Sequence, residues 1–174
     1  MKQNSTGKDA GELIRLARDA SRANRNDQAI RYLKQAQRLA PGDAAITYLL
    51  AAEHAQLGIY PRAMEELEQA LQLDPGLAAA RFQLAFLRLA AGDDEAALGL
   101  LRPLAGLGDG NCFAHFTRGL EALVAGRYDA CREALERGLP LNVEHEGINA
   151  DIRKVLRALA DRREDGAENG DPLH

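Results

Sequence analysis

The feature that most constrains this chain is an internal period of 34 residues. Gly58, Gly92 and Gly126 stand 34 residues apart, and Asn24 stands one period earlier. Small residues recur in the same register in two further series: Ala17, Ala51, Ala85 and Gly119, then Ala29, Ala63, Ala97 and Cys131. A fixed period of this length indicates tandem copies of one structural unit. Such a unit cannot bury its apolar face alone and is stabilised by stacking on its neighbours.

Each copy has the pattern of two helices joined by a tight turn. The recurring Gly or Asn lies between two helical patterns, where a turn needs a residue that tolerates positive φ. The small residues allow two antiparallel helices to approach closely, and Pro41 and Pro75 end the second helix of their copies. Ala, Leu, Arg and Glu are abundant and aromatic residues make up only 5%, which favours helix over strand. The sequence therefore predicts an all-α protein.

The best-preserved copy contains the stretch AAEHAQLGIYPRAMEELEQALQLDP, residues 51–75. Its order of small residue, turn, small residue, Leu, Ala and Pro resembles the tetratricopeptide repeat family. The resemblance implies a right-handed α-solenoid of stacked antiparallel helix hairpins, whose first helices line a concave groove, and a role in binding other proteins. The copies are expected at about 10–43, 44–77, 78–111 and 112–145.

The remaining boundaries follow from the residues outside the four copies. A helical stripe over 149–162, with Asn149 as its N-cap, predicts a helix that closes the apolar core. The repeats and this capping helix would form a single domain over 10–162. Residues 1–9 and the acidic tail 163–174 are polar and contain glycine, so they are expected to be disordered.

Copies three and four depart from the pattern in ways that have structural consequences. Pro103 falls inside the second helix of copy three, where proline costs about 3 kcal/mol, so that helix is expected to stop or kink near Arg102. Copy four has His115 and Arg118 where the pattern prefers apolar residues.

The family register assigns a set of residues to the concave groove. The candidate peptide-binding residues are Arg18, Arg22, Tyr48, Phe82, Phe86, Leu89, Phe113, Phe116 and Leu120. This groove would be basic at its N-terminal end and apolar elsewhere, which suits an apolar helix or peptide of a client protein. Some family members bind chaperone C-termini through a Lys/Asn/Arg clamp, but here only Arg18 matches it. An adaptor or chaperone-like role is therefore expected, without capture of chaperone tails.

Other occupants of the same face remain open at the sequence level. The Phe113–Leu120 stripe could be core if the first helix of copy four is rotated from the family register. The C-terminal helix could cover the aromatic residues, or a second protomer could do so. The alternative function is then a structural or scaffold subunit of a larger assembly or a homodimer.

No pattern of residues indicates an enzyme, a metal site or a cofactor. The STGK stretch at 5–8 lacks the first glycine of a phosphate-binding loop and follows no strand. Cys112 and His115 would supply only two metal ligands, which is too few for a site. Cys131 occupies a small-residue position and is expected to be a buried core thiol.

Charge and hydropathy limit the partners and the location. The net charge is −4, which argues against nucleic acid or an anionic membrane as a partner. The N-terminus does not have the pattern of a secretory signal, and no apolar run approaches the roughly 18 residues of a membrane span. We therefore expect a cytoplasmic protein with reduced thiols.

Overall fold

The computed structural model describes residues 9–168, and the side chains as far as Arg162. Within this range the chain forms nine α-helices and two short 3₁₀ helices, without a β-strand. The α-helices are α1 (Ala10–Arg22), α2 (Asn26–Leu39), α3 (Ala44–Gln56), α4 (Tyr60–Leu73), α5 (Ala78–Ala90), α6 (Asp94–Leu101), α7 (Cys112–Val124), α8 (Tyr128–Gly138) and α9 (Glu146–Glu168). The predicted domain contains two compact units, one ending at Leu87 and the other beginning at Arg88.

The first unit contains two helix hairpins and the first ten residues of α5. Helix α1 packs against α2, α3 packs against α4, and α2 also packs against α3. The residues predicted to make the turns have positive φ, 55° at Asn24 and 74° at Gly58. Glycine reaches this conformation without a steric penalty, and Asn tolerates it better than most residues. The turn chemistry predicted from the repeat is thus confirmed.

Aspartates cap the first helices of both hairpins in this unit. The Asp9 carboxylate accepts a hydrogen bond from the Glu12 amide at 2.7 Å, and Asp43 accepts from the Ala45 amide at 2.8 Å. Each cap satisfies an amide that has no partner within its helix. Asp9 therefore belongs to the folded unit, which corrects its assignment to a disordered segment over 1–9. Residues 1–8 lie outside the described range.

The second unit centres on the α7–α8 hairpin. A 3₁₀ helix at Arg102–Leu107 packs on α7, and α9 packs against α8. Helix α6 ends at Leu101, and the 3₁₀ helix begins at the next residue. Pro103 thus interrupts the α-helix where the sequence predicts, because it lacks the amide hydrogen and clashes with the preceding turn.

Both series of small residues are buried at the centres of their units. The alanines of the two series and Cys131 are at most 2% exposed. Gly119 shows why size matters, since a Cβ atom there would lie 2.5 Å from Leu135 Cδ2. The predicted close approach of paired helices is confirmed.

The C-terminal helix begins earlier and ends later than predicted. It starts at Glu146 and runs to Glu168, so the expected disorder over 163–168 is corrected, while 169–174 lie outside the described range. Asn149 lies within the helix and is not its N-cap. Its Nδ2 donates to the Asn142 carbonyl oxygen at 2.8 Å, and Asn142 Nδ2 donates to Asn149 Oδ1 at 2.9 Å. This buried amide pair joins α9 to the segment before it, a contact that helix periodicity does not encode.

Candidate peptide-binding surface

Four of the first helices carry a large side chain at one shared repeat position. Ile14, Tyr48, Phe82 and Phe116 are spaced by 34 residues, and exposure there is 7% for Tyr48, 1% for Phe82 and 0% for Phe116. These three aromatic side chains are therefore core residues of their own units. A ligand on the surface would not reach Phe82 or Phe116 directly.

One helical turn later, the exposure of the equivalent position differs between copies. Arg18 is exposed on α1, Phe86 is half-buried on α5, and Leu120 is fully buried on α7. The accessible members of this series are Arg18, Phe86 and the half-buried Ala52 of α3, and all three lie in the first unit. We define the first-unit surface as Arg18, Ala52 and Phe86, with Tyr48 and Phe82 beneath.

Phe86 is held by its neighbour one turn before it on α5. The rings of Phe82 and Phe86 are stacked, with centroids 6.4 Å apart and planes inclined at 30°. Because Phe82 is buried, it fixes the orientation of Phe86 and leaves part of the Phe86 ring exposed to solvent. A preorganised aromatic side chain of this kind can bind an apolar group with little loss of its own freedom.

Arg18 and Tyr48 interact electrostatically across α1 and α3. Burial raises the pKa of Tyr48 well above its usual value, and the positive charge of Arg18 offsets part of this rise. The phenol therefore stays neutral, and the Arg18 guanidinium lies near enough to act on it. This places a cation beside an aromatic residue of α3.

The other arginines of α1 are partly neutralised by one acid. Arg15 and Arg22 each lie 3.7 Å from a carboxylate oxygen of Asp19. Arg18 forms no ion pair with any residue in the described part of the chain. Arg18 is thus the α1 cation that is available to a ligand, while Arg22 would have to exchange Asp19 for a new partner.

The predicted site residues of the second unit mostly stabilise its hairpin. Phe116 packs on Gly138, where a Cβ atom would come within 2.5 Å of its ring. Phe113 is 6% exposed and meets Phe116 edge to face at 6.4 Å. Leu120 is fully buried, while Leu89 is half-buried at the end of α5. The apolar stripe of α7 therefore belongs to the core of the second unit.

A buried polar network in the first unit was missed at the sequence level. His54 Nδ1 lies 2.6 Å from Glu66 Oε2, and Arg62 Nε donates to the other Glu66 oxygen at 3.1 Å. Nearby, Asn26 Nδ2 donates to Glu53 Oε2 at 2.9 Å. Because these residues come from three helices, only knowledge of the hairpin pairing could have brought them together.

Both cysteine thiols lie in surroundings that disfavour the thiolate. Burial raises the pKa of Cys112, and it raises that of Cys131 to about 11, so both favour the unreactive thiol form. Among residues 9–168, no three His, Cys, Asp or Glu side chains are arranged to hold a metal ion. In the same range, no helix has both the length and the apolar character needed to cross a membrane.

Comparisons with known proteins agree with the repeat pattern. A family model described as tetratricopeptide repeat matches residues 54–109. No curated protein matches the chain. The match agrees with the repeats and the helix hairpins, and it identifies residues 54–109 as tetratricopeptide repeat sequence.

Solved structures with the same fold include three proteins of this kind. TTC0263, a tetratricopeptide repeat protein of Thermus thermophilus, is 23% identical with a TM-score of 0.68, covering 86% of this chain and 80% of its own. MamA from Desulfovibrio magneticus is 20% identical with a TM-score of 0.61, covering 96% and 99%. YrrB, described as having an unusual peptide-binding site, is 19% identical with a TM-score of 0.59, covering 90% and 78%. At these identities the likeness establishes the fold alone.

Proposed function

We propose that the first-unit surface binds an apolar helix or peptide segment of a client protein, in an adaptor or chaperone-like role in the cytoplasm. The observation that carries the proposal is the partly exposed Phe86, stacked on buried Phe82, in the same unit as Arg18, a cation that forms no ion pair with any residue of the described range. Equivalent positions of successive repeats face the same side of a stack. The ligand would therefore place an apolar side chain on Phe86 and a carboxylate near Arg18.

The energetics require a ligand that uses more than one contact. Full burial of a Phe side chain contributes about 1.5–3 kcal/mol, so covering the exposed minority of the Phe86 side chain contributes well under half of that. A micromolar complex needs about −8 kcal/mol after the cost of association. The client segment must therefore extend over several helices. Its acidic group would gain further energy from Arg18, or from Arg22 after exchange with Asp19.

The proposal can be tested by selection followed by substitution. Phage-displayed random peptides would be selected against the full chain, and the enriched sequences resynthesised and measured by fluorescence anisotropy. Phe86→Glu removes the apolar contact, while Leu73→Glu makes the same kind of change at an exposed leucine of α4 (43% exposed). We expect Phe86→Glu to weaken binding by about tenfold or more and Leu73→Glu to have little effect.

Two results would contradict the proposal. Equal binding by the two variants, with helix content retained by circular dichroism, would place the peptide elsewhere. The second result is a molecular mass of the parent chain that falls on dilution, together with a monomeric mass for Phe86→Glu. It would show that a second protomer covers the same surface. If Phe86→Glu unfolds the protein, binding is measured with Phe86→Ser, which removes the ring without adding a charge.

A further inference from the structure

The outer face of α2 carries three cations in one row. Ala29, Leu33 and Ala36 form the buried side of α2, and the helical period of 3.6 residues places Arg31, Lys34 and Arg38 on the opposite side. All three are exposed. We call Arg31, Lys34 and Arg38 the α2 basic face.

The row is short enough for its charges to act together. Arg31 and Arg38 are seven residues apart, so the face extends about 10 Å along the helix axis. Neighbouring cations of the row are about 4.5 and 6 Å apart along the axis, which is less than the Debye length of about 8 Å at physiological ionic strength. A ligand touching one cation therefore also experiences the field of the cation next to it.

Several cations of other helices, in contrast to these three, lie close to an acidic partner. On α8, Arg137 Nη2 lies 2.6 Å from Glu133 and Arg132 lies 3.2 Å from Asp129. On α9, Arg153 lies 2.7 Å from Glu146 and Lys154 lies 2.8 Å from Asp151.

On α2, by contrast, none of the three cations forms an ion pair with a residue of the described range. The one acid on this side, Asp27, lies in the first turn of the helix. Like charges at i, i+3 and i+4 reduce helix stability, which offsets the favourable position of Arg38 in the last turn of the helix.

The charge of the surroundings defines the class of partner. Residues 10–43 contain seven Lys or Arg and four Asp or Glu, a net charge of +3 in a chain whose net charge is −4. Arg38 also borders an open cleft of about 900 Å³, whose other wall on α4 carries Arg62, Glu65 and Glu66. An extended polyanion such as DNA would meet the exposed Glu65 there, whereas a short acidic segment can lie on α2 alone.

We propose that the α2 basic face binds a short acidic segment of a partner protein, with carboxylates spaced to meet Arg31, Lys34 and Arg38. The proposal does not depend on ligand binding at the first-unit surface, because the two surfaces lie on different helices. It makes copy one an electrostatic docking element in addition to a structural repeat.

The test uses the full chain and a fluorescein-labelled helical peptide with three glutamates at i, i+4 and i+7. A peptide with glutamine at these places is the ligand control. The protein variant is Arg31→Gln, Lys34→Gln, Arg38→Gln in combination. The matched control is Arg153→Gln, Lys154→Gln, Arg157→Gln on α9, which removes the same charge from another exposed helix face.

We expect the glutamate peptide to bind the parent chain with an affinity that falls as salt rises. The α2 variant should lose about tenfold or more of this affinity, while the α9 variant stays within about twofold of the parent. Equal losses in the two variants would show that net charge, and not the α2 basic face, governs binding. An absence of glutamate-peptide binding, or tighter binding of a single-stranded DNA oligonucleotide, would also overturn the proposal.

Discussion

Gly119 offers the sharpest test of how copy four is packed. It lies within α7, and a Cβ atom there would stand 2.5 Å from Leu135 Cδ2 and 2.7 Å from Leu135 Cγ. Leu135 is fully buried, so it cannot move into solvent to make room. Gly119→Ala should therefore overpack the hairpin at a cost of about 1–3 kcal/mol.

A matched substitution isolates this cost from helix propensity. Gly99 lies in α6, and a Cβ atom there would have no heavy atom within 4 Å. Replacing Gly by Ala within a helix contributes up to about 1 kcal/mol of stability at either position. Gly99→Ala should therefore stabilise the protein, and the difference between the two variants should equal the overpacking cost of about 1–3 kcal/mol.

Thermal unfolding followed by circular dichroism measures this difference. For a chain of this size, 1 kcal/mol corresponds to about 2–4 °C in Tm. We expect Gly99→Ala to melt above the parent, and Gly119→Ala to melt at least about 2–4 °C below Gly99→Ala. Equal rises in Tm for both variants would refute the close packing of α7 on α8 at Leu135.

Three further predictions concern buried polar groups. Burial raises the pKa of Glu53 from 4.5 and outweighs the hydrogen bonds of Ser21 and Asn26, so the contribution of Glu53 to the free energy of unfolding falls as pH rises above that value. In urea unfolding, the stability of Glu53→Gln relative to the parent should therefore increase between about pH 4 and pH 7. A stability difference that stays constant with pH would contradict this. Asn149→Ala leaves the Asn142 groups without their buried partner and should cost about 1–3 kcal/mol in the same assay, whereas an unchanged midpoint would refute the role of the pair. The Cys112→Ser variant leaves Cys131 as the one cysteine, and its pKa is about 11. At about pH 8 this thiol should react with Ellman's reagent only as fast as the chain unfolds. Rapid reaction of the folded protein would show that the thiol is accessible.

The repeat made most of the fold predictable, because its signals are local or periodic. Gly58 and Asn24 mark turns through their backbone freedom, and Pro103 ends a helix by its covalent geometry. The extent of α9 was less predictable. Near its start, a side-chain contact joins Asn142 at the end of copy four to Asn149 of the helix, and the period of the repeat does not encode this contact.

The candidate surface was harder to predict than the helices. Periodicity placed Phe86 and Phe116 on equivalent sides of α5 and α7, but it could not tell that a glycine at 138 would admit the Phe116 ring into the hairpin. Exposure at a repeat position depends on which side chains fill the neighbouring helix. The sequence therefore indicates which face to examine, and packing decides which residues remain accessible on it.

Photo-crosslinking from position 86 tests the central claim most directly. Benzoylphenylalanine would replace Phe86 in one protein and Leu73 in another, and each would be irradiated with a peptide selected against the parent chain. Binding on the first-unit surface predicts a crosslinked peptide from position 86 and none from position 73. Crosslinking from position 73, with none from position 86, would contradict it.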